Sequence, residues 1–265
     1  MLRPAVGPTP RWFVARALDG FAPKLALVDA LLATAGFVVV ASVWRATAGS
    51  HGSFEQLVPM LGTALRWSVA LPIAWAALGA LDNDRRGGLL ELARRRGVPP
   101  RRWILGRALG AGALVALTVG GPMVVVSTVL AGFGGGAEGA LARFSLVVPS
   151  IGVGLATGAV FGAGAVALGT FFSSRGIAFG VLVGLAGLGA LVDLLVPGPI
   201  GVVAHQIASP FVALEDLQAA MFDAPSSAVS GVGAAIAAVV VVALALYAAS
   251  VGERASGGGV AGVAR

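Results

Sequence analysis

The chain has 265 residues, of which 57% are apolar and only 11% charged, and its mean hydropathy is +0.93. Soluble domains carry roughly a quarter charged residues, so this composition excludes a water-soluble globular fold and describes a polytopic membrane protein. The absence of Cys, with two His and four Met, excludes disulfide staples, thiolate metal sites, Cys nucleophiles and a dedicated metal carrier. The net charge of +6 comes from 17 Arg and a single Lys. Their positions matter more than their sum, and they argue for membrane orientation rather than for nucleic acid.

Residues 1–24 form a leader. Its first nine residues are Pro-rich and irregular, and Thr9-Pro10 then marks a helix start, with Thr9 as N-cap and Pro10 at the first helical position. Phe13, Val14, Ala17, Leu18 and Phe21 fall on one face of the helix that follows, which suits an element lying in the membrane interface and ended by Pro23. Six apolar spans follow, at 25–44, 60–81, 104–130, 144–170, 176–196 and 228–251. Each is near the ~20 residues that cross a bilayer as a helix. Ala33-Thr34-Ala35 resembles a signal-peptidase site, but the apolar run continues to Trp44, which favours an uncleaved span. Between the spans lie a loop near 45–59, a basic segment at 82–103, a loop near 131–143, a tight turn at 171–175 and a long segment at 197–227. The tail at 252–265 is small and polar enough to be disordered.

Charge asymmetry sets the orientation. With the N-terminus in the cytoplasm, that side holds Arg3, Arg11, Arg16, Lys24, Arg85, Arg86, Arg94, Arg95, Arg96, Arg101, Arg102, Arg107, Arg175, Arg254 and Arg265. The other side keeps Arg45, Arg66 and Arg143. Both termini are therefore expected in the cytoplasm. Gly154, Gly158 and Gly162 recur at four-residue spacing in the fourth span, and Gly180 and Gly184 in the fifth, as in helices that pack closely.

Catalytic motifs are missing. There is no GxxxxGK[ST], GxSxG or HExxH, and His51 and His205 fall in outer loops without a diagnostic partner. Asp29, Arg66 and Asp193 are charged residues within spans, each near enough to an interface to snorkel. No proton relay is expected from them, and the chain is not expected to be an enzyme.

The segment 82–107 is the informative one: DNDRRGGLLELARRRGVPPRRWILGR. Leu89, Leu90 and Leu92-Ala93 give a short helix its apolar side, Glu91 projects elsewhere, and Arg94, Arg95 and Arg96 close it before Gly97 and Pro99-Pro100. Such a helix beside the membrane can expose Leu, Glu and Arg to a partner. The competing reading is a surface helix held by anionic lipid.

This segment resembles the permease subunits of ABC-2-type transporters, in which an acidic residue and a Gly-Thr-Leu-like turn precede a short coupling helix. A Pro-containing turn, basic residues and a hydrophobic-Gly-Lys stretch then lead into the third span. Asp84 takes the acidic position, Gly87-Gly88-Leu89 the first turn, Gly97-Val98-Pro99-Pro100-Arg101 the second, and Ile104-Leu105-Gly106-Arg107 the lead into the span. Gly88 stands where Thr is common and Arg107 where Lys is common. Phe171-Phe172-Ser173-Ser174-Arg175 resembles the family's brief turn after span four, and 197–224 its re-entrant outer region, with amphipathic candidates at 201–207 and 210–222.

The resemblance implies an all-α membrane fold: a six-helix bundle over 25–251 with an N-terminal interfacial helix, a coupling helix at about 84–96, and re-entrant outer helices before the last span. It implies a permease in the cytoplasmic (inner) membrane that forms a homodimer and binds two separate ABC ATPase subunits, which hold the ATP and Mg. This chain itself would bind no cofactor. ATPase coupling falls to Asp84, Gly87, Gly88, Leu89, Leu90, Glu91, Leu92, Arg94, Arg95 and Arg96. The substrate path falls to spans two and five, represented by Trp67, Trp75, Phe179 and Leu182, and the outer gate to Pro210, Phe211 and Phe222. The near-wholly apolar lining favours export of a hydrophobic or lipid-linked substrate by alternating access. The alternative is a non-transporting membrane module through which an ATPase acts on a periplasmic partner. An intramembrane enzyme would need convergent nucleophile, base or metal ligands, and a secondary transporter would need polar residues at mid-bilayer. The sequence supplies neither.

Overall fold

The computed structural model describes residues 10–48, 57–132, 136–172, 174–195 and 209–222, together with positions 243 and 247. Among these no strand occurs. In chain order the helices are α1 (Pro10–Ala17), α2 (Phe21–Ala48), α3 (Leu57–Leu65), α4 (Leu71–Leu78), α5 (Ala80–Arg86), α6 (Leu89–Arg95), α7 (Pro100–Gly132), α8 (Gly136–Thr157), α9 (Gly164–Phe171), α10 (Arg175–Leu195) and α11 (Pro210–Phe222). A π-helical turn at Arg66–Ala70 joins α3 to α4, and a second at Gly158–Ala163 joins α8 to α9. Pro72, which brings no N–H, lies just past the first of these turns, and the second is bounded by Gly158 and Gly164. Both are sequences that weaken regular i→i−4 bonding.

Among the described residues four stretches are long and apolar enough to cross a membrane: Phe21–Val43, Leu57–Arg86, Pro100–Leu130 and Ser145–Phe171. By length and composition this is a multi-pass helical membrane protein. The fifth expected span coincides with α10, of which Arg175–Leu185 is described as apolar helix. The sixth, at 228–251, lies outside the described residues apart from helical positions 243 and 247. So do residues 1–9 with Thr9, the candidate helix at 201–207 and the tail. The other re-entrant candidate is α11, with the expected bounds.

Boundaries differ from expectation at several points, and the helix expected at 84–96 is divided by Gly87-Gly88, so that 84–86 belong to α5 and α6 begins at Leu89. The interfacial helix is not ended by Pro23. It stops at Ala17, the break falls at Leu18–Gly20, and Gly20 takes a φ of +115° that a side chain would resist. Pro23 sits instead in the first turn of α2, where a missing N–H costs nothing. The loop expected at 131–143 is largely helix, because α8 begins at Gly136. Ala137, Ala140, Leu141 and Ala142 are strong helix formers that carry the helix N-terminal to the apolar stretch.

The centre of the bundle is α7, which touches α1, α2, α3, α8 and α9. Its broadest seam is with α8. A Cβ built on Gly154 would lie 2.6 Å from Cα of Gly120, one on Gly158 2.4 Å from the oxygen of Gly112, and one on Gly162 2.5 Å from Cα of Gly112. The glycine stripe of the fourth span therefore meets a matching stripe at Gly112, Ala116 and Gly120 on the third. Lipid is as apolar as the core, so close backbone approach and polar contacts hold helices together more than burial does. Ser127 and Ser150 add a buried hydroxyl pair at 3.0 Å across the same seam.

Candidate functional site

The basic end of the bundle is organised around Asp84, which is 0% exposed at the foot of α5. Its carboxylate accepts from Nε of Arg107 at 2.7 Å and from Nη2 of the same guanidinium, and from Nε1 of Trp103 at 2.9 Å. Trp103 and Arg107 are four residues apart on α7 and so share one face. The guanidinium also lies 5.7 Å from the ring of Trp12 on α1. Trp12, Phe13 and Trp103 form a three-ring cluster with centroids 5.1–5.5 Å apart. Gly106 and Gly110 make room for it: a Cβ at Gly106 would come within 2.3 Å of the Phe13 ring. Three elements are thus pinned at one buried carboxylate. Beside this joint Arg16, Asp19, Asn83 and Arg107 line a cavity of about 70 Å³.

From this joint projects α6. Gly88 before it has φ +67° and Gly97 after it φ +73°. The left-handed region excludes most side chains, which accounts for glycine at both positions. At the far end Val98 N–H bonds to the Ala93 carbonyl at 2.9 Å and Gly97 N–H to Arg94 at 2.9 Å, a Schellman closure. Leu90 and Ala93 are buried against the bundle, and Leu89 is half-buried. Leu92 is 49% exposed, with Glu91, Arg94, Arg95 and Arg96 exposed around it, and Glu91 pairs with Arg95 at 3.2 Å. Of the expected coupling residues, then, Asp84 and Leu90 face inward, whereas Leu92 and the charges face out.

The residues expected on the substrate path fall into two groups. Toward the basic end, Trp75 meets Phe179 edge to face at 4.9 Å, and Leu182 is buried one turn further along α10. Arg175 donates from Nε to the Trp75 carbonyl at 2.7 Å and stands 4.5 Å from the Trp75 ring. Toward the other end, Trp67 stacks on Phe211 at 5.8 Å, and Phe161 meets Phe211 edge to face at 4.8 Å. Phe211 of α11 is therefore held between the two π turns. Pro210 is buried with it, and Phe222 packs partly buried at the opposite end of α11.

Arg66, beside Trp67 in the first π turn, does not snorkel as a residue so near a span end could. It is 1% exposed and donates from Nη2 to Oε1 of Gln218 at 2.6 Å. Gln218 is fixed in turn by donating to the Pro59 carbonyl at 2.8 Å and to Oγ1 of Thr63 at 3.1 Å. Trp12, Trp103, Phe161 and Gln218 carry no motif in the sequence, and Arg175 stands there only as the end of a turn and a basic residue, with no sign of its contact with Trp75. The only sequence signal for any of them is the four-residue step from Trp103 to Arg107. Among the described residues no group of three or more His, Cys, Asp or Glu could hold a metal ion.

Comparison with protein-family models, with curated proteins and with solved structures finds no match for this chain.

Proposed function

We propose that this chain is the membrane subunit of an ABC-2-type transporter, working with two copies of a separate ATPase as a dimer of permeases in the cytoplasmic membrane. The basic end faces the cytoplasm in this reading, and the exported substrate is hydrophobic or lipid-linked. The observation that carries it is the joint at Asp84. An exposed helix, α6, is fixed through α5 to the foot of α7, the helix that most of the bundle packs against. Leu90 and Ala93 of α6 are buried, so a push on α6 reaches α5 and α7 through packed side chains as well as through the glycine turns. Closure of a bound ATPase pair would thereby tilt α7 and its partners as one body, as alternating access requires. The aromatic contacts at both ends of the presumed path, Trp75–Phe179 and Trp67–Phe211, are then the inner and outer closures.

Leu92 is the side chain best placed for a groove on the ATPase. Burying it fully stabilises a contact by about 1.5–3 kcal/mol, and an aspartate there would bury an unpaired charge. With the tagged chain purified from its native membrane, an ATPase subunit should copurify and hydrolyse ATP. Leu92→Asp should lose that subunit with the fold unchanged, and replacing Arg94, Arg95 and Arg96 by Gln should weaken it less. An ATPase retained by Leu92→Asp, or lost only with the arginine changes, overturns the docking assignment in favour of a lipid-held helix.

A further inference from the structure

Arg66 lies about 14 Å along the helix from Leu57 at ~1.5 Å per residue, and its guanidinium is enclosed. A guanidinium stays charged and carries five N–H donors. Among the described residues one acceptor meets it, the Gln218 side chain, while Nε and Nη1 have none. The nearest anion is Glu215 of α11, whose Oε1 stands 4.0 Å from Nη1, beyond hydrogen-bond reach, and whose side chain is 53% exposed. A buried charge with most of its donors idle is costly, and a state in which an anion meets those donors recovers that cost. The neighbouring side chains are aromatic: Trp67, 41% exposed, stacks on Phe211, which is buried against Phe161 until α11 moves.

We propose that Arg66 is the binding residue for the oxyanion of an anionic amphiphile, a phosphate or carboxylate carried on an apolar chain, with Trp67 and Phe211 receiving the apolar part. In the closed arrangement Glu215 is a loosely held internal substitute for that oxyanion. When α11 shifts, Glu215 withdraws to water, and Nη1, the donor it faces, is left for the oxyanion to meet as a charge-assisted hydrogen bond. The proposal deepens the transport reading by naming the substrate class, and it rests on that reading for direction of movement but not for binding.

The full chain in phosphatidylcholine nanodiscs, without any ATPase, tests it by equilibrium binding of dodecyl phosphate, laurate, dodecylphosphocholine and inorganic phosphate. Dodecyl phosphate and laurate should bind, and the other two should bind at least about tenfold more weakly, the range that a charge-assisted hydrogen bond supplies. Arg66→Gln should weaken dodecyl phosphate by about tenfold while raising the melting temperature. Glu215→Gln, which keeps the guanidinium and removes its competitor, should tighten binding. Inorganic phosphate binding as well as the amphiphiles, or Arg66→Gln and Glu215→Gln both binding like the unmodified chain, overturns the proposal. Loss of binding in Arg66→Gln with ATPase docking intact, or the reverse in Leu92→Asp, separates failure here from failure of the coupling assignment.

Discussion

Asp84 carries more of the basic end than any other side chain, because its two oxygens are fully occupied and out of water. Removing one member of a buried ion pair leaves the other uncompensated, at a cost of about 3–5 kcal/mol. Asp84→Asn and Arg107→Met should therefore each lower the melting temperature in detergent sharply. The double variant should recover much of the loss, since neither charge is then stranded, and a double-mutant cycle reads the coupling. Losses that simply add would contradict the pair. Both residues could be singled out in the sequence as motif positions, but their pairing could not, because nothing in one sequence ties a carboxylate to a guanidinium 23 residues further on across two glycine turns. Arg66 was legible as an intramembrane charge and misleading as to its environment. Snorkelling is set by which way the π turn aims the side chain, and neither the turn nor Gln218, on a distant helix, has a periodic signature.

At the scale of elements, glycine and proline were the reliable signals and the bounds of apolar runs the weaker ones. Gly97 closes α6 as expected, whereas Gly87-Gly88 break the helix expected at 84–96 and leave 84–86 in α5, and α11 occupies the stretch chosen for its amphipathic pattern. The face of α6 was harder to read: Leu89 and Leu92 lie three apart and count as one apolar side, yet the bundle takes Leu90 and Ala93. A seven-residue helix with apolar residues at three of its first four positions leaves that choice to tertiary packing. The caps also make a local prediction. Gly97→Ala forces a side chain into the left-handed region at a cost of about 1–2 kcal/mol. It should open the Schellman closure and speed hydrogen exchange at the Gly97 and Val98 amides, with little effect on the rest of the bundle. Gly36→Ala, where a Cβ meets nothing within 4 Å, is the control. Equal exchange at those two amides in the two variants would mean that α6 is not held by its cap.

For the whole molecule, hydropathy was sufficient to place the described spans, since a helix must satisfy its own backbone in lipid whatever its neighbours are. It could not say which helices touch, because an apolar face toward lipid and one toward another helix have the same composition. Only small-residue spacing carried that information, and only in part: of the two glycine series, Gly154, Gly158 and Gly162 are pressed against α7, whereas a Cβ on Gly180 or Gly184 meets nothing within 4 Å. The two series should respond oppositely to the same substitution. At Gly162→Ala the new methyl meets backbone atoms of Ala111 and Gly112 at 2.5–2.6 Å, which cannot rotate away, so α7 and α8 must separate along the seam that holds the bundle together. Overpacking of this kind costs about 1–3 kcal/mol, and moving the helices apart would also stretch the Ser127–Ser150 contact. Gly112→Ala should be milder, because its Cβ would approach the Gly158 oxygen at 3.2 Å. Gly180→Ala and Gly184→Ala add a methyl in open space and remove a flexible residue from a helix interior, so the melting temperature of the chain in detergent should hold or rise. A loss at Gly180→Ala as large as that at Gly162→Ala would contradict the assignment of the close-packed seam to α7 and α8.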